Sequence, residues 1–123
     1  MSELVKHNQS AEDYLECILL LTRQSEEVHR IDVANILKVS GAAVNKAVKI
    51  LVEKGYVYEE GKHLRLTDEG KRYAEEVFDR HCILREFLTG LGVSEESAEE
   101  DACRMEHLLS DETFKAIKKF INK

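Results

Sequence analysis

The stretch of residues 30–66, RIDVANILKVSGAAVNKAVKILVEKGYVYEEGKHLRL, decides the fold. Arg30–Leu37 is predicted to form a short helix. Ser40 then caps a second helix over Gly41–Glu53, and Gly55 ends it because glycine readily adopts the left-handed conformation that closes helices. Two helices joined by a tight turn predict a helix-turn-helix, whose second helix enters the major groove of DNA.

Apolar residues at helical spacing mark the inward faces of these two helices. In the first helix they are Ile31, Ala34 and Leu37, and in the second they are Val44, Ala47, Val48 and Leu51. The remaining positions of the second helix and its cap would face DNA, namely Ser40, Gly41, Ala42, Asn45, Lys46 and Lys49. Asn45 can read a base edge and the lysines can meet phosphates. An ordinary solvated helix face is the competing interpretation for each of these residues.

Two short runs after the second helix read as the strands of a hairpin. Tyr56–Tyr58 and His63–Leu66 are strand-like, and Gly61 suits the tight turn between them. A hairpin directly after a helix-turn-helix is typical of the wing of a winged-helix domain. Lys62 and Arg65 are then predicted to contact the DNA backbone.

The flanking segments are helical. A first helix is expected from Ser10, its cap, to about Gln24, and Thr67 is expected to cap a long helix that follows it. Ser94 and Ser110 cap two further helices, and this second half leaves apolar surface that dimerisation would hide. The fold class is therefore mainly α, with a winged helix-turn-helix at the N-terminus and a helical domain after it.

Charge is distributed unevenly over the 123 residues, whose net charge is −6. Residues 30–72 carry 9 Lys and Arg against 6 Asp and Glu, whereas residues 73–123 carry 7 against 12. This pattern indicates an anionic partner for the middle of the chain and a cationic ligand for the acidic part. The sequence contains no apolar run long enough to span a membrane, and residues 1–6 lack the apolar core of a signal peptide. We therefore expect a cytoplasmic protein, no membrane partner and three reduced cysteines.

The stretch CRMEH at residues 103–107 suggests the cationic ligand. Cys103, Glu106 and His107 stand at i, i+3 and i+4, so a helix places them on one face, and all three side chains can ligate a transition metal. Asp13 and Glu16 also share one helical face. By themselves these two carboxylates are more typical of a solvated helix start.

Several segments together resemble the diphtheria-toxin-repressor family of iron- and manganese-dependent repressors, in its short, manganese-type form. They are Glu12–Glu16, Ile50–Val57, Leu66–Gly70, Arg80–His81 and Ala102–Asp111. The resemblance implies a homodimeric repressor that binds a palindromic operator in double-stranded DNA when Fe(II) or Mn(II) is plentiful, and that controls genes of metal uptake. It also implies residues 1–72 as the DNA-binding domain and residues 73–123 as the helical metal-binding and dimerisation domain.

The implied metal ligands are Asp13, Glu16, His81, Cys103, Glu106 and His107. Manganese-type members share the two carboxylates but have a carboxylate in place of Cys103, and iron-type members share Cys103 but have a methionine in place of Asp13. Thiolates favour softer ions, so the choice leans towards iron, with Co(II), Zn(II) and Ni(II) able to substitute. Arg85 stands where iron-type members have a carboxylate of an ancillary site, and Glu99 is a candidate replacement for the histidine of that site. The number of metals per chain stays open.

Two other functions compete with this hypothesis. One is a winged-helix regulator that ignores metal, for which His107→Ala would leave DNA binding intact. The other is a metal-dependent hydrolase built on the same ligands, which would require an open coordination position and turnover. The wing and the basic middle of the chain favour the repressor over the hydrolase, so we do not expect an enzyme.

Overall fold

The structure is a computed structural model that describes residues 11–122. In this range the chain forms six helices and one antiparallel hairpin. They are α1 (Ala11–Gln24), α2 (Arg30–Leu37), α3 (Gly41–Glu53), β1 (Val57–Glu60), β2 (His63–Leu66), α4 (Asp68–Gly90), α5 (Glu95–Leu108) and α6 (Asp111–Ile121). The predicted order of helix, helix-turn-helix, wing and further helices is confirmed. The predicted cap of the first helix, Ser10, lies outside the described residues.

The chain divides into two compact units, Met1–Glu75 and Glu76–Lys123, and the division falls within α4. The core of the first unit is apolar and comes from α1, α2, α3 and the hairpin. It includes Leu15, Ile18, Leu19, Val33, Val44, Val48, Leu51, Val57 and Leu64. The predicted inward positions of α3 are all buried. This core holds the outer face of α3 and the wing in fixed places on the surface of the unit.

The predicted inward face of α2 is wrong in one respect. Ile31 is 63% exposed, and Val33 takes its place in the core beside Ala34. Residues spaced three apart drift by about 60° per step around a 3.6-residue helix, so Ile31 falls off the face on which Val33 and Ala34 lie. The eight residues of α2 are too short a run to reveal this drift from the sequence.

Tight turns connect the wing to its neighbours. Gly55, at φ +80°, follows the last turn of α3, and Gly61, at φ +63°, lies between β1 and β2. The backbone N–H of Leu64 donates to the carbonyl of Val28 at 2.8 Å, which fastens β2 to the loop before α2. Thr67 donates to the carbonyl of Gly55 at 2.7 Å and accepts from the N–H of Gly70 at 2.9 Å. Thr67 therefore caps α4, as predicted, and also ties α4 to the wing.

Gly70 is required where α4 crosses the segment that enters the wing. A β-carbon at this position would lie 1.9 Å from the carbonyl oxygen of Tyr56, and that oxygen also accepts a hydrogen bond from the N–H of Thr67 at 3.0 Å. The clash involves backbone and cannot be relieved by turning a side chain. The backbone of α4 would have to move away from the wing to accommodate any other residue.

We expect Gly70→Ala to destabilise the protein by about 3 kcal/mol, because the added methyl group overpacks a backbone contact. Gly90→Ala is the matched control, since a β-carbon at Gly90, also in α4, meets no atom within 4 Å. The control should be neutral or stabilising by up to about 1 kcal/mol. Urea denaturation followed by circular dichroism measures both changes. Equal stabilities of the two variants would contradict the close contact.

The second unit consists of the rest of α4 with α5 and α6, around buried Leu84, Ala98 and Ala102. Arg80 connects its helices, because its guanidinium donates to Asp111 at 2.8 Å and lies 4.7 Å from the centre of the Phe114 ring. Every residue of α6 keeps part of its surface exposed, and Phe120 is 60% exposed. Among residues 11–122, the helices are too short or too polar to cross a membrane.

Candidate metal centre and nucleic-acid surface

His81 lies at the centre of a cluster of potential metal ligands in the second unit. It projects from the middle of α4 and is 3% exposed. Ligand atoms of His81, Glu99 and Cys103 all lie within 4.8 Å of one another, the last two coming from α5. The spacing of Glu99 and Cys103 at i and i+4 places both side chains on the face of α5 that meets α4. The cluster thus combines nitrogen, oxygen and sulfur donors, a set suited to a divalent transition metal.

Glu106 extends this cluster into the interior. The residue is 2% exposed, and its Oε2 atom lies 3.4 Å from Nδ1 of His81. Its Oε1 atom lies 3.4 Å from Nε2 of His107. A buried carboxylate is costly unless positive charge is close by. The surroundings of Glu106 therefore favour a cation, which can be either a protonated histidine or a metal ion.

His81 provides that positive charge. The neighbouring Cys103, and after it Glu106, raise the pKa of His81 to about 11 and outweigh the opposing effect of burial. Near neutral pH the imidazole therefore carries a proton on both nitrogens. Any metal that binds through His81 has to displace one of these protons.

Asp13 and Glu16 lie on α1 in the first unit. Asp13 is half-buried and Glu16 is 9% exposed, so the solvated-face interpretation is wrong for Glu16. Burial, and then the charge of Glu16, raise the pKa of the neighbouring Cys17 thiol to about 11, which keeps that thiol neutral. Burial of a carboxylate such as that of Glu16 costs free energy unless hydrogen bonds or a positive charge compensate it.

All but one of the predicted DNA-contacting residues are exposed in the first unit. On α3 and its cap, the exposed residues are Ser40, Gly41, Ala42, Asn45, Lys46 and Lys49. Lys62 is exposed at the tip of the hairpin, and Arg65 on β2 is half-buried and lies 3.6 Å from Glu60. The structure therefore leaves the outer face of α3 and the tip of the hairpin accessible to solvent.

The sequence interpretation missed Arg30, the first residue of α2. Its guanidinium donates to Oδ1 of Asn45 at 2.8 Å and also pairs with Glu59 on β1. Because a guanidinium can only donate, it fixes the amide of Asn45 with the oxygen towards Arg30 and the NH₂ group turned away from Arg30. The position of Arg30 at the start of the basic segment was the available signal, but the pairing depends on a contact 15 residues away along the chain.

Both halves of the chain resemble known proteins. Residues 6–64 match the model of the iron dependent repressor N-terminal DNA-binding domain, and residues 67–123 match that of the iron dependent repressor metal binding and dimerisation domain. The transcriptional regulator MntR of Escherichia coli O157:H7 is 40% identical over 113 residues, covering 91% of this chain and 73% of MntR. The chain belongs to the iron-dependent repressor family. This repressor is a metal-dependent DNA-binding regulator and not an enzyme, so the hydrolase alternative is excluded.

Two further relatives show how far the likeness extends. The HTH-type regulator MJ0568 of Methanocaldococcus jannaschii is 37% identical over 119 residues, covering 94% of this repressor and 95% of that protein. The solved structure of the manganese regulator SloR matches with a TM-score of 0.84 at 28% identity, over 94% of this chain and 54% of SloR. The repressor thus spans about half the length of SloR.

Proposed function

We propose that this repressor binds a palindromic operator as a homodimer when Fe(II) or Mn(II) is bound, and that it controls genes of metal-ion uptake. The observation that carries the proposal is the buried group of His81 and Glu106 with Cys103 beside it, in a chain that also exposes a recognition helix and a wing. The ligand cluster would bind the metal ion, and the basic face of the first unit would bind DNA.

The residues that would hold the cation come from three helices. They are Asp13 and Glu16 on α1, His81 on α4, and Cys103, Glu106 and His107 on α5. Carboxylate, imidazole and thiolate are all established ligand types for divalent transition metals. When bound, the cation supplies the positive charge that a buried carboxylate such as Glu106 lacks after His81 gives up its proton.

The proposed ligand set contains two kinds of donor that favour different metals. Asp13 and Glu16 are hard ligands that suit Mn(II), whereas the Cys103 thiolate favours Fe(II), Co(II) or Zn(II). The likeness to SloR, which is described as a manganese regulator, supports manganese, and Cys103 supports iron. Co(II), Zn(II) and Ni(II) would occupy the same ligands as laboratory substitutes.

Binding of the metal would be coupled to binding of DNA by thermodynamic linkage. Residues 1–72 form the proposed DNA-binding domain, and residues 73–123 form the proposed metal-binding and dimerisation domain. Because the proposed ligands include residues of both domains, a bound metal favours the arrangement that brings all of them to one ion. If that arrangement is also the one that binds DNA, bound metal raises the affinity for DNA, and bound DNA raises the affinity for metal.

The partly exposed apolar face of α6 is the surface we assign to the second copy of the chain. It consists of Phe114, Ile117, Phe120 and Ile121 on one side of the helix. Pairing two copies would give two recognition helices related by twofold symmetry, which matches a palindromic operator.

Metal affinity should increase with pH. The apo protein holds a proton on His81 up to about pH 11, because Cys103 and Glu106 stabilise the imidazolium. The metal must displace this proton. Protons therefore compete more strongly with the metal at low pH and less strongly at high pH. Calorimetric titration of Co(II) in buffers of different ionisation enthalpy should show at least about one proton released per metal in the neutral range. No proton release would contradict the role of His81 as a ligand.

The two lysines of the recognition helix should contribute through phosphate contacts. We expect Lys46→Ala with Lys49→Ala to lower DNA affinity and to reduce the slope of log K against log salt by about 2, one unit for each lost contact. Lys115→Ala with Lys118→Ala on α6 is the matched control, because it removes the same charge from the other domain. A salt slope unchanged in the Lys46 and Lys49 variant would contradict the proposed DNA face.

The direct test is fluorescence anisotropy with a palindromic duplex recovered by selection from random DNA in the presence of Mn(II). We expect affinity to be high with Mn(II) or Fe(II) under anaerobic conditions and low with chelator. Equal affinities would favour the remaining alternative, a winged-helix regulator that ignores metal.

A further inference from the structure

Glu99 joins His81 to Arg85 through two hydrogen bonds. Oε1 of Glu99 lies 2.9 Å from Nε2 of His81, and Oε2 accepts from Nη1 of Arg85 at 3.1 Å. The two oxygens of one carboxylate are therefore used on two different partners. The three residues form a chain that runs from the buried imidazole to the surface, since the side chain of His81 is 4% exposed and that of Arg85 is 47% exposed.

Because of these hydrogen bonds, the two ring nitrogens of His81 have different surroundings. Nε2 faces Glu99, whereas Nδ1 faces Oε2 of Glu106 at 3.4 Å. A nitrogen that donates its proton to a carboxylate has no lone pair for a metal. The geometry thus reserves Nδ1 for coordination and leaves Nε2–H as the donor that fixes the ring.

A metal on Glu99 itself would meet an obstacle. Arg85 already provides a full positive charge at the second oxygen, and an arginine stays protonated at every physiological pH. A divalent ion at Glu99 would have to displace this guanidinium or lie next to it. Arg85, which stands where iron-type members have a ligand carboxylate, is therefore itself a cation.

On the basis of the metal centre proposed above, we propose that Glu99 and Arg85 are positioning residues of that centre rather than ligands of a second metal. Arg85 holds Glu99, and Glu99 holds Nε2–H of His81, so that Nδ1 is presented towards Glu106. Carboxylates that accept from the outer nitrogen of a ligating histidine fix its tautomer and strengthen it as a ligand. Glu99 and Arg85 accordingly hold no second metal ion of their own.

Co(II) is the probe for this inference, because its ligand-field bands report the ligands directly and a thiolate adds a charge-transfer band. We expect wild-type protein to bind Co(II) with a thiolate band from Cys103. Glu99→Ala should keep the stoichiometry and the bands but weaken Co(II) binding about 10- to 100-fold, as is typical when an outer-shell partner is lost. Glu99→Gln should fall between the two, because its amide oxygen still accepts from Nε2–H.

Arg85→Ala should weaken Co(II) binding at most about fivefold, since its ion pair with Glu99 is exposed to solvent. Glu100→Gln, which removes the same charge from the next exposed position of α5, is the control and should match wild type. Circular dichroism verifies the fold of each variant, and the partial exposure of Glu99 makes unfolding an unexpected result.

The outcomes separate this inference from the function on which it rests. If wild-type protein shows no Co(II) binding with a thiolate band, the proposed metal centre itself is wrong. If that centre is present but Glu99→Ala loses one bound Co(II) or changes the ligand-field bands, Glu99 is a ligand and the inference is overturned. It is also overturned if Glu99→Ala binds Co(II) as tightly as wild type.

Discussion

Replacing His107 with alanine is expected to abolish metal-stimulated DNA binding. His107 lies beside the buried carboxylate of Glu106, with 3.4 Å between Nε2 and Oε1. Loss of an outer-shell partner already costs 10- to 100-fold in metal affinity, so removal of a proposed ligand should cost at least about 100-fold. The DNA affinity of the variant in Mn(II) should then fall to the value that wild-type protein shows in chelator.

The partial exposure of His107 makes this variant informative. Its side chain is 19% exposed, against 4% for His81, so truncation opens less of the interior. Arg104→Ala on the same helix is the control, because Arg104 pairs only with Asp101 one turn away at 3.4 Å in the part of the chain that the structure describes. If His107→Ala keeps full metal stimulation, the regulator does not use this cluster.

Replacing Cys103 with glutamate is expected to change which metal activates the protein. Cys103 is exposed on α5, and its sulfur lies within 4.8 Å of ligand atoms of His81 and Glu99. A carboxylate in its place leaves hard donors around the cation and removes the one soft donor. We expect the affinity for Mn(II) relative to Co(II) and Zn(II) to rise at least about tenfold, which corresponds to about 1.4 kcal/mol.

The measurement is a competition titration of the three metals on wild type, Cys103→Glu and Cys82→Ser. Cys82 is a half-buried cysteine on α4, and its variant controls for the loss of a thiol elsewhere. The thiolate charge-transfer band of Co(II) should disappear only in Cys103→Glu. An unchanged order of metal affinities would show that Cys103 does not determine the selectivity.

The elements that could be predicted are those determined by local sequence. Serine and threonine caps at Ser40, Thr67, Ser94 and Ser110 mark four helix starts, and Gly55 and Gly61 mark two turns at positive φ. These signals depend on residues within one turn of each other, so a single sequence contains them in full. The helix-turn-helix and the wing follow from their order.

The features that could not be predicted depend on contacts between distant segments. Nothing near Gly70 shows that its backbone touches Tyr56, and nothing near Arg30 shows that it holds Asn45. Glu99 is similar: its position suggested a replacement ligand, whereas the structure joins it to both His81 and Arg85. The burial of Glu16 likewise depends on tertiary packing, so a solvated helix start was the natural local interpretation.

The central claim is that DNA binding depends on a metal held by the cluster around His81. It is tested most directly by anisotropy titrations of one anaerobic preparation against the selected palindrome, in chelator and in excess Fe(II) or Mn(II). To move a two-state equilibrium from mostly inactive to mostly active, the metal must favour the active state by up to about 10⁴-fold, so a large difference is expected. We predict at least about 100-fold tighter binding with metal for wild type and no difference for His107→Ala. Equal affinity of wild type in chelator and in metal would contradict the account.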